Sequence, residues 1–293
     1  MAFGPHLLLA VLEGLVTSAV LALTALGLSL VFGVMRVVNV AHGEFFMLGA
    51  VLAWAVATTV GASPTSGFAA ALVIAPLIVG VVALLAERLV LRRVNYDPEA
   101  TIVATIGLLY ILQQLALTFY GPDARPVPPP FNLRISLPWF GYSAYKLSII
   151  ATSTTLLLLS WLVLTRTRAG LIMRATQYDR ETAQAFGIPV GRVYAAVFAI
   201  GAMLAAIAAV LIVPISQAHY LMGQDPLLLS FAVVIIGGLG SLRGTVVAAL
   251  LIGVSDGVIS MFFSPTLAKL IATLAVAMVL VFRPQGLFGK VAR

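Results

Sequence analysis

Few side chains in this sequence can do chemistry, and most of those that can sit where an apolar run is interrupted. Asn39, His42 and Glu44 cluster beside Gly43 in RVVNVAHGEFFMLGA, residues 36–50. An imidazole and a carboxylate so close could pass a proton or hold a polar ligand. One His and one Glu are too few for a metal site, which takes three or four ligands. A charge well inside a bilayer costs at least ~2.5–3.5 kcal/mol, so such groups face protein or a wet cavity. The segment is therefore either a cytoplasmic turn whose side chains satisfy broken backbone ends, or an unwound, re-entrant element beside a solute pathway. Asp256, in LLIGVSDGVISMFF, is the clearest acid within an apolar run. It reads as a functional group by default, or as half of a buried pair with Arg243 or another helix. In IIGGLGSLRGT, residues 235–245, Gly237, Gly238, Gly240 and Ser241 break a further run. No strand–turn–helix context makes this a dinucleotide fingerprint. A tight helix–helix turn and a half-helix lining a cavity both fit. These positions are the candidates for a pathway through the protein.

Covalent and cofactor chemistry find little support. The histidines His6, His42 and His219 are scattered, no Ser-His-Asp pattern occurs, and there is no cysteine, which removes thiolate chemistry and Cys-based metal sites. No Gly-x4-Gly-Lys-Ser/Thr occurs, so the chain binds no ATP through a P-loop. No cofactor and no metal are expected on it.

The longest polar stretch is RTRAGLIMRATQYDRETAQAFGIPVGR, residues 166–192. Arg166, Arg168, Arg174, Arg180 and Arg192 face only Asp179 and Glu181 as acids. A short helix is legible within it. Asp179 suits the N-cap and Glu181 the first turn, where a carboxylate complements the dipole. Gly187 can take the left-handed conformation that ends a helix, and Pro189 forbids continuation. The helix so bounded holds Arg180, Glu181, Thr182, Ala183 and Phe186, about two turns or roughly 10 Å. One that short is marginal alone in water and needs a partner surface.

The elements that must position these groups are apolar helices. Of 293 residues, 61% are hydrophobic and 9% charged, with a mean hydropathy of +1.11, whereas a soluble domain carries about 25% charged residues. Continuous runs long enough for ~30 Å of hydrocarbon recur from end to end and lack the alternation of a transmembrane barrel. The expectation is an all-α, polytopic transmembrane helical bundle occupying residues 1–293 as one domain. It has about nine spans (eight to ten), near 7–34, 44–60, 67–87, 101–120, 147–164, 193–213, 227–242, 245–262 and 266–282. The first run lacks the basic flank of a signal peptide and reads as a retained span, with Glu13 near its outer end.

Placing 166–192 in the cytoplasm fixes the rest by alternation, with the N-terminus outside and the C-terminus cytoplasmic. Thirteen basic residues then fall inside: Arg36, Arg88, Arg92, Arg93, the five of the central loop, Arg243, Arg283, Lys290 and Arg293. Four fall outside, Arg125, Arg134, Lys146 and Lys269. That is a strong positive-inside asymmetry, and it accounts for the basic pI without nucleic acid. The six prolines and the aromatics of 121–146 read as an ordered external loop or short hairpin.

VLALTALGLSLVFGVMRVVNVAHGEFFMLGA (20–50) resembles the N-terminal signature of permease subunits of branched-chain amino-acid ABC importers. AFGIPVGRVYAAVFAIGAMLAAIAAVL, IIGGLGSLRGTVVAALLIG and LVFRPQGLFG (280–289) resemble the same family in the same order. NVAHGE and the short N-terminus are similar to the LivH type. Glu181, Thr182, Ala183 and Gly187 approximate the EAA-x3-G pattern of importer permeases, with Thr182 departing at the second position.

The resemblance implies a multi-pass subunit of a bacterial-type cytoplasmic (inner) membrane and no enzyme. It would translocate branched-chain or related amino acids with a second permease subunit, two ATP-binding subunits and an extracytoplasmic substrate-binding protein. ATP and Mg²⁺ would sit on the partners, and the 179–187 helix would couple to an ATPase. Relatives that carry urea or short amides widen the cargo. An ion-coupled secondary transporter using Asp256, Glu44 and His42 as a proton relay is the alternative from another class.

Overall fold

The computed structural model describes residues 3–61, 63–283 and 285–288. Lys290 and Arg293, counted above among the inside residues, lie outside the described residues, as does part of the 280–289 motif. Several helices start on signals readable in the chain. Ser63 and Ser66 form a reciprocal capping box with Pro64 in the first turn, Asp97 caps ahead of Pro98, and Ser264 caps ahead of Pro265. A proline costs nothing there, because its missing N–H would be unpaired anyway.

The elements are α1 (Phe3–Met35), α2 (His42–Val60), α3 (Pro64–Ala86, extended by a π-helical turn Glu87–Leu91), α4 (Pro98–Tyr120), the hairpin β1 (Arg134–Ser136) and β2 (Gly141–Ser143), α5 (Ala144–Arg166), α6 (Arg168–Tyr178), α7 (Arg180–Ala185), α8 (Val190–Ser216), α9 (Gln224–Gly237), α10 (Leu242–Phe262) and α11 (Pro265–Phe282). Among the described residues, eight helices are long and apolar enough to cross a membrane, and α9 is shorter. The expected span at 227–242 is thus corrected. Positive φ at Gly238 and Gly240 ends the helix at Gly237, and its 14 residues reach about 21 Å, short of ~30 Å of hydrocarbon.

The chain nonetheless makes the pass. At one end, Arg125 bridges Ala218 and Lys146 meets Glu13 at 2.6 Å, and from there the irregular segment 217–223 leads inward to the start of α9. At the other, Gly240 lies against Gly33 and Gln177 of α6. The basic loop residues Arg36, Arg92 and Arg93 and the arginines of α6 and α7 gather at this second end.

Two halves of the bundle repeat each other in inverted order. In each, a long helix (α1, α8) leads through an irregular connection into a shorter helix (α2, α9), a tight turn and two further helices (α3 and α4, α10 and α11). The long helices run antiparallel. Residues 16–26 of α1 share a core with 204–213 of α8, and residues 30–35 share one with 190–206. They cross at Gly27 and Gly201, where a Cβ added to either glycine would collide with the carbonyl of the other. The short helices start against each other at Gly43 and Gly223, and the turns close on the paired glycines Gly61 and Gly67, Gly237 and Gly244. Without a hydrophobic force between helices in lipid, small residues that admit close backbone approach hold such bundles together.

Candidate functional site

The seam at 36–41 begins where α1 ends on Arg36, a non-glycine residue with φ 57° whose guanidinium donates to the Gln177 carbonyl. The chain then turns back, unwound, alongside α1. The carbonyl of Thr24 accepts from His42 Nε2 at 2.9 Å, and Thr24 lies eleven residues before the end of α1 at Met35, about 16 Å along the axis. α2 therefore starts well inside the bundle.

Its exposed backbone ends are satisfied locally. Ala41 N donates to Asn39 Oδ1 at 3.1 Å, and Val40 N to Thr105 Oγ1 of α4 at 3.2 Å. Asn39, His42 and Glu44 are all buried, and the segment leads back from the end of α1 into the bundle. A carbonyl only accepts, so Nε2 carries the proton in this arrangement. His42 Nδ1 and Glu44 Oε2 have no hydrogen-bond partner among the described residues. The start of α9 meets this point from the other half, Gly223 backing onto Gly43. Two helix N-termini and an unwound segment thus converge inside the bundle, as in transporters whose sites lie between inverted repeats.

The other pathway candidates lie elsewhere. Gly237, Gly238, Gly240 and Ser241 form the tight turn between α9 and α10, where Ser241 Oγ caps α10 by accepting from Gly244 N. Asp256 lies fifteen residues further along the chain, in a shallow pocket with Ser255, Ile259 and Ala268. Among the described residues it makes no ion pair, with Arg243 or any other. Thirteen residues of one helix separate them, about 20 Å.

The polar stretch 166–192 folds as two helices, α6 and α7, where one was expected. Thr167 caps α6 by accepting from Gly170 N. As expected, Asp179 caps α7, accepting from Glu181 N at 2.9 Å and Thr182 N at 3.1 Å. The Thr182 hydroxyl and then its N–H, both donating to the Asp179 carboxylate, hold that carboxyl below the usual carboxylate range. A depressed folded pKa keeps the cap intact at neutral pH; it is lost only as pH falls through that lowered value.

The helix ends at Gly187, φ +80°, with Ile188 N donating to the Ala183 carbonyl. Ala183 is the face turned inward. Phe186 and Tyr178 are 83% and 87% exposed, in a segment with exposed Arg174 and Arg180 and outside the apolar spans.

A set of residues not foreseen in the sequence anchors α7. The Arg180 guanidinium lies 5.7 Å from the centre of the Tyr194 ring of α8, and Tyr194 meets Tyr96 edge-on at 4.9 Å. The Tyr96 hydroxyl donates to Glu87, buried in the π-helical turn. Burial and the Glu87 carboxylate push the Tyr96 phenol up, which keeps it a donor. Asn95 and Tyr96 both take positive φ, a conformation usually left to glycine, and only Asp97–Pro98 hints at the corner. Tyr96→Phe should leave a buried carboxylate short of a donor, a loss of about 1–3 kcal/mol. A lowered thermal midpoint of the purified protein would register it; an unchanged midpoint would mean water replaces the phenol.

Residues 10–282 match the family described as the permease component of branched-chain amino acid transport systems. The chain is 27% identical to the high-affinity branched-chain amino acid transport system permease protein BraD of Pseudomonas aeruginosa, over 97% of this chain and 96% of that one. It is 26% identical to the permease protein LivH of Escherichia coli K12, over 95% and 94%. Among solved structures, PsaBC from Streptococcus pneumoniae in complex with Fab shares the fold, with a TM-score of 0.52 and 13% identity over 94% of this chain and 92% of that one. These relatives are transport permeases, not enzymes. With the apolar helices and the match over nearly its whole length, the chain belongs to the family of permease components of branched-chain amino acid transport systems.

Proposed function

We propose that this chain is the membrane-spanning subunit of an ATP-driven importer of branched-chain or related amino acids, in a bacterial-type cytoplasmic membrane. The observation that carries this is α7: a capped two-turn helix with exposed Phe186 and Tyr178 at the water-facing, basic end of the bundle. Exposed aromatics outside the spans mark an interaction surface, here for one of two ATPase subunits. The gathering of arginines at that end argues for its cytoplasmic placement, and with it an outside N-terminus and a cytoplasmic C-terminus. A second permease and an extracytoplasmic binding protein complete the assembly. Nucleotide binding on the ATPases pulls the docked helices together, and the bundle passes between outward- and inward-facing states biased by nucleotide. The meeting point of α2 and α9, with Asn39, His42 and Glu44, is the segment of the bundle we place beside the pathway.

Names of relatives point to branched-chain amino acids; urea and short amides remain within reach of the same architecture. An ion-coupled carrier is the weaker reading, because Asp256 and His42 face different helices and form no continuous relay. Purification of the chain from its host, followed by reconstitution in vesicles, tests the proposal. ATPase subunits should accompany it, and uptake should require ATP and the binding protein. Solute movement by the chain alone would overturn it.

A further inference from the structure

A groove of about 570 Å³ runs along α1 between α5 and α10. Its floor extends from Leu15 to Leu26 of α1, about 17 Å, a little over one leaflet of a ~30 Å hydrocarbon core. The walls are Leu157, Leu158, Val247 and Leu250, with Trp161 near one end. That end opens into a second, more polar recess of about 630 Å³, with which it shares Trp161, Leu242, Arg243 and Phe288. Arg174 and Gln177 of α6, together with Ser241, line the recess. No Asp or Glu lines either cavity, and neither Arg174 nor Arg243 has an ion pair among the described residues.

The geometry points to a binding site for an anionic phospholipid, with an acyl chain in the α1–α5–α10 groove and the phosphate between Arg243 and Arg174. Charge selects this occupant. An amino-acid cargo brings an ammonium group, and the lining offers it no carboxylate. An apolar helix of a partner would fill the groove and leave two cations unmatched. A phospholipid with net negative charge matches the apolar length and the cationic end together, and basic recesses between spans at the cytoplasmic side take such headgroups. Trp161 suits the boundary between the two regions.

The test uses the assembled transporter in nanodiscs containing phosphatidylglycerol and phosphatidylcholine, with lipid retained after detergent washing read by mass spectrometry. A photoreactive acyl-chain analogue of phosphatidylglycerol maps the groove. Native protein should retain phosphatidylglycerol over phosphatidylcholine and cross-link at Leu158 or Trp161. R174Q and R243Q should each lower that retention about fivefold, the contribution expected of one cation at an anionic surface. R174K with R243K should restore it, separating charge from misfolding, and V247W should abolish the acyl cross-link. Equal retention of the two lipids would overturn the site, as would insensitivity to the arginine variants. So would a V247C thiol that cross-links to the second permease in place of lipid.

Discussion

Gly223→Ala is expected to unseat the centre of the bundle and abolish uptake, although it adds a single methyl group. That methyl carbon would sit 2.1 Å from the Gly43 carbonyl oxygen, and its counterpart in Gly43→Ala 2.3 Å from the Gly223 carbonyl. Both obstacles are backbone, so no rotamer change relieves them. The two helix starts must separate, and with them the hydrogen bonds that His42, Asn39 and Thr105 make around the unwound segment. Overpacking of a close-packed core costs about 1–3 kcal/mol or more, and here the rigid partners place it at the upper end. Gly27→Ala should behave alike, its methyl carbon meeting the Gly201 carbonyl at 2.4 Å. Gly107→Ala is the control. Nothing lies within 4 Å of its added carbon, so helix propensity alone predicts a gain of up to about 1 kcal/mol. Thermal melts of the purified variants would show opposite signs for one chemical change. Equal stability for Gly223→Ala and the native chain would refute the central role given to this crossing.

How far the sequence foretold this arrangement depends on the range of the interaction concerned. Helix caps are local, so Asp179, Gly187 and Pro189 bounded α7 correctly to within a residue. Apolar length is local too, and eight of the expected spans appear as long helices. The ninth misled because hydropathy counts apolar residues and not backbone continuity: Gly238 and Gly240 stop α9 although Leu239 keeps the run apolar.

The depth of His42 was out of reach, because it depends on a hydrogen bond to Thr24 across a reversal of the chain. Small residues recur along α1 and α8. The pairing of Gly27 with Gly201 joins two elements far apart in the chain, so no single window of sequence contains it. Asp256 drew notice as an acid in an apolar run, yet its neighbours are Ser255, Ile259 and the start of α11. The Glu87–Tyr96–Tyr194–Arg180 chain joins four elements, so no single window of sequence contains it.

Gly187→Ile should separate ATP hydrolysis from uptake in the reconstituted importer while leaving the bundle inserted and assembled. Gly187 sits at φ +80° with nothing within 4 Å of an added Cβ, so the cost is in the backbone and not in crowding. A β-branched residue held in the left-handed region costs about 1–2 kcal/mol, and the cheaper response is to unwind. Unwinding breaks the bonds from Gly187 N to the Gln184 carbonyl and from Ile188 N to the Ala183 carbonyl. Phe186 would then lose its fixed place beside α7. Since α7 has only six residues, few hydrogen bonds resist this.

On the reading of α7 as the element gripped by an ATPase subunit, uptake should fall tenfold or more while hydrolysis persists. Gly187→Asn should retain most of the uptake, because Asn tolerates the left-handed region. Glu181→Lys should act in the same direction and more weakly, reversing a first-turn charge worth about 0.3–1 kcal/mol to the helix. The wild-type rate of binding-protein-stimulated uptake in Gly187→Ile would remove α7 from the coupling path. A fall shared equally by Gly187→Asn would assign the position a contact role in place of the backbone role argued for it.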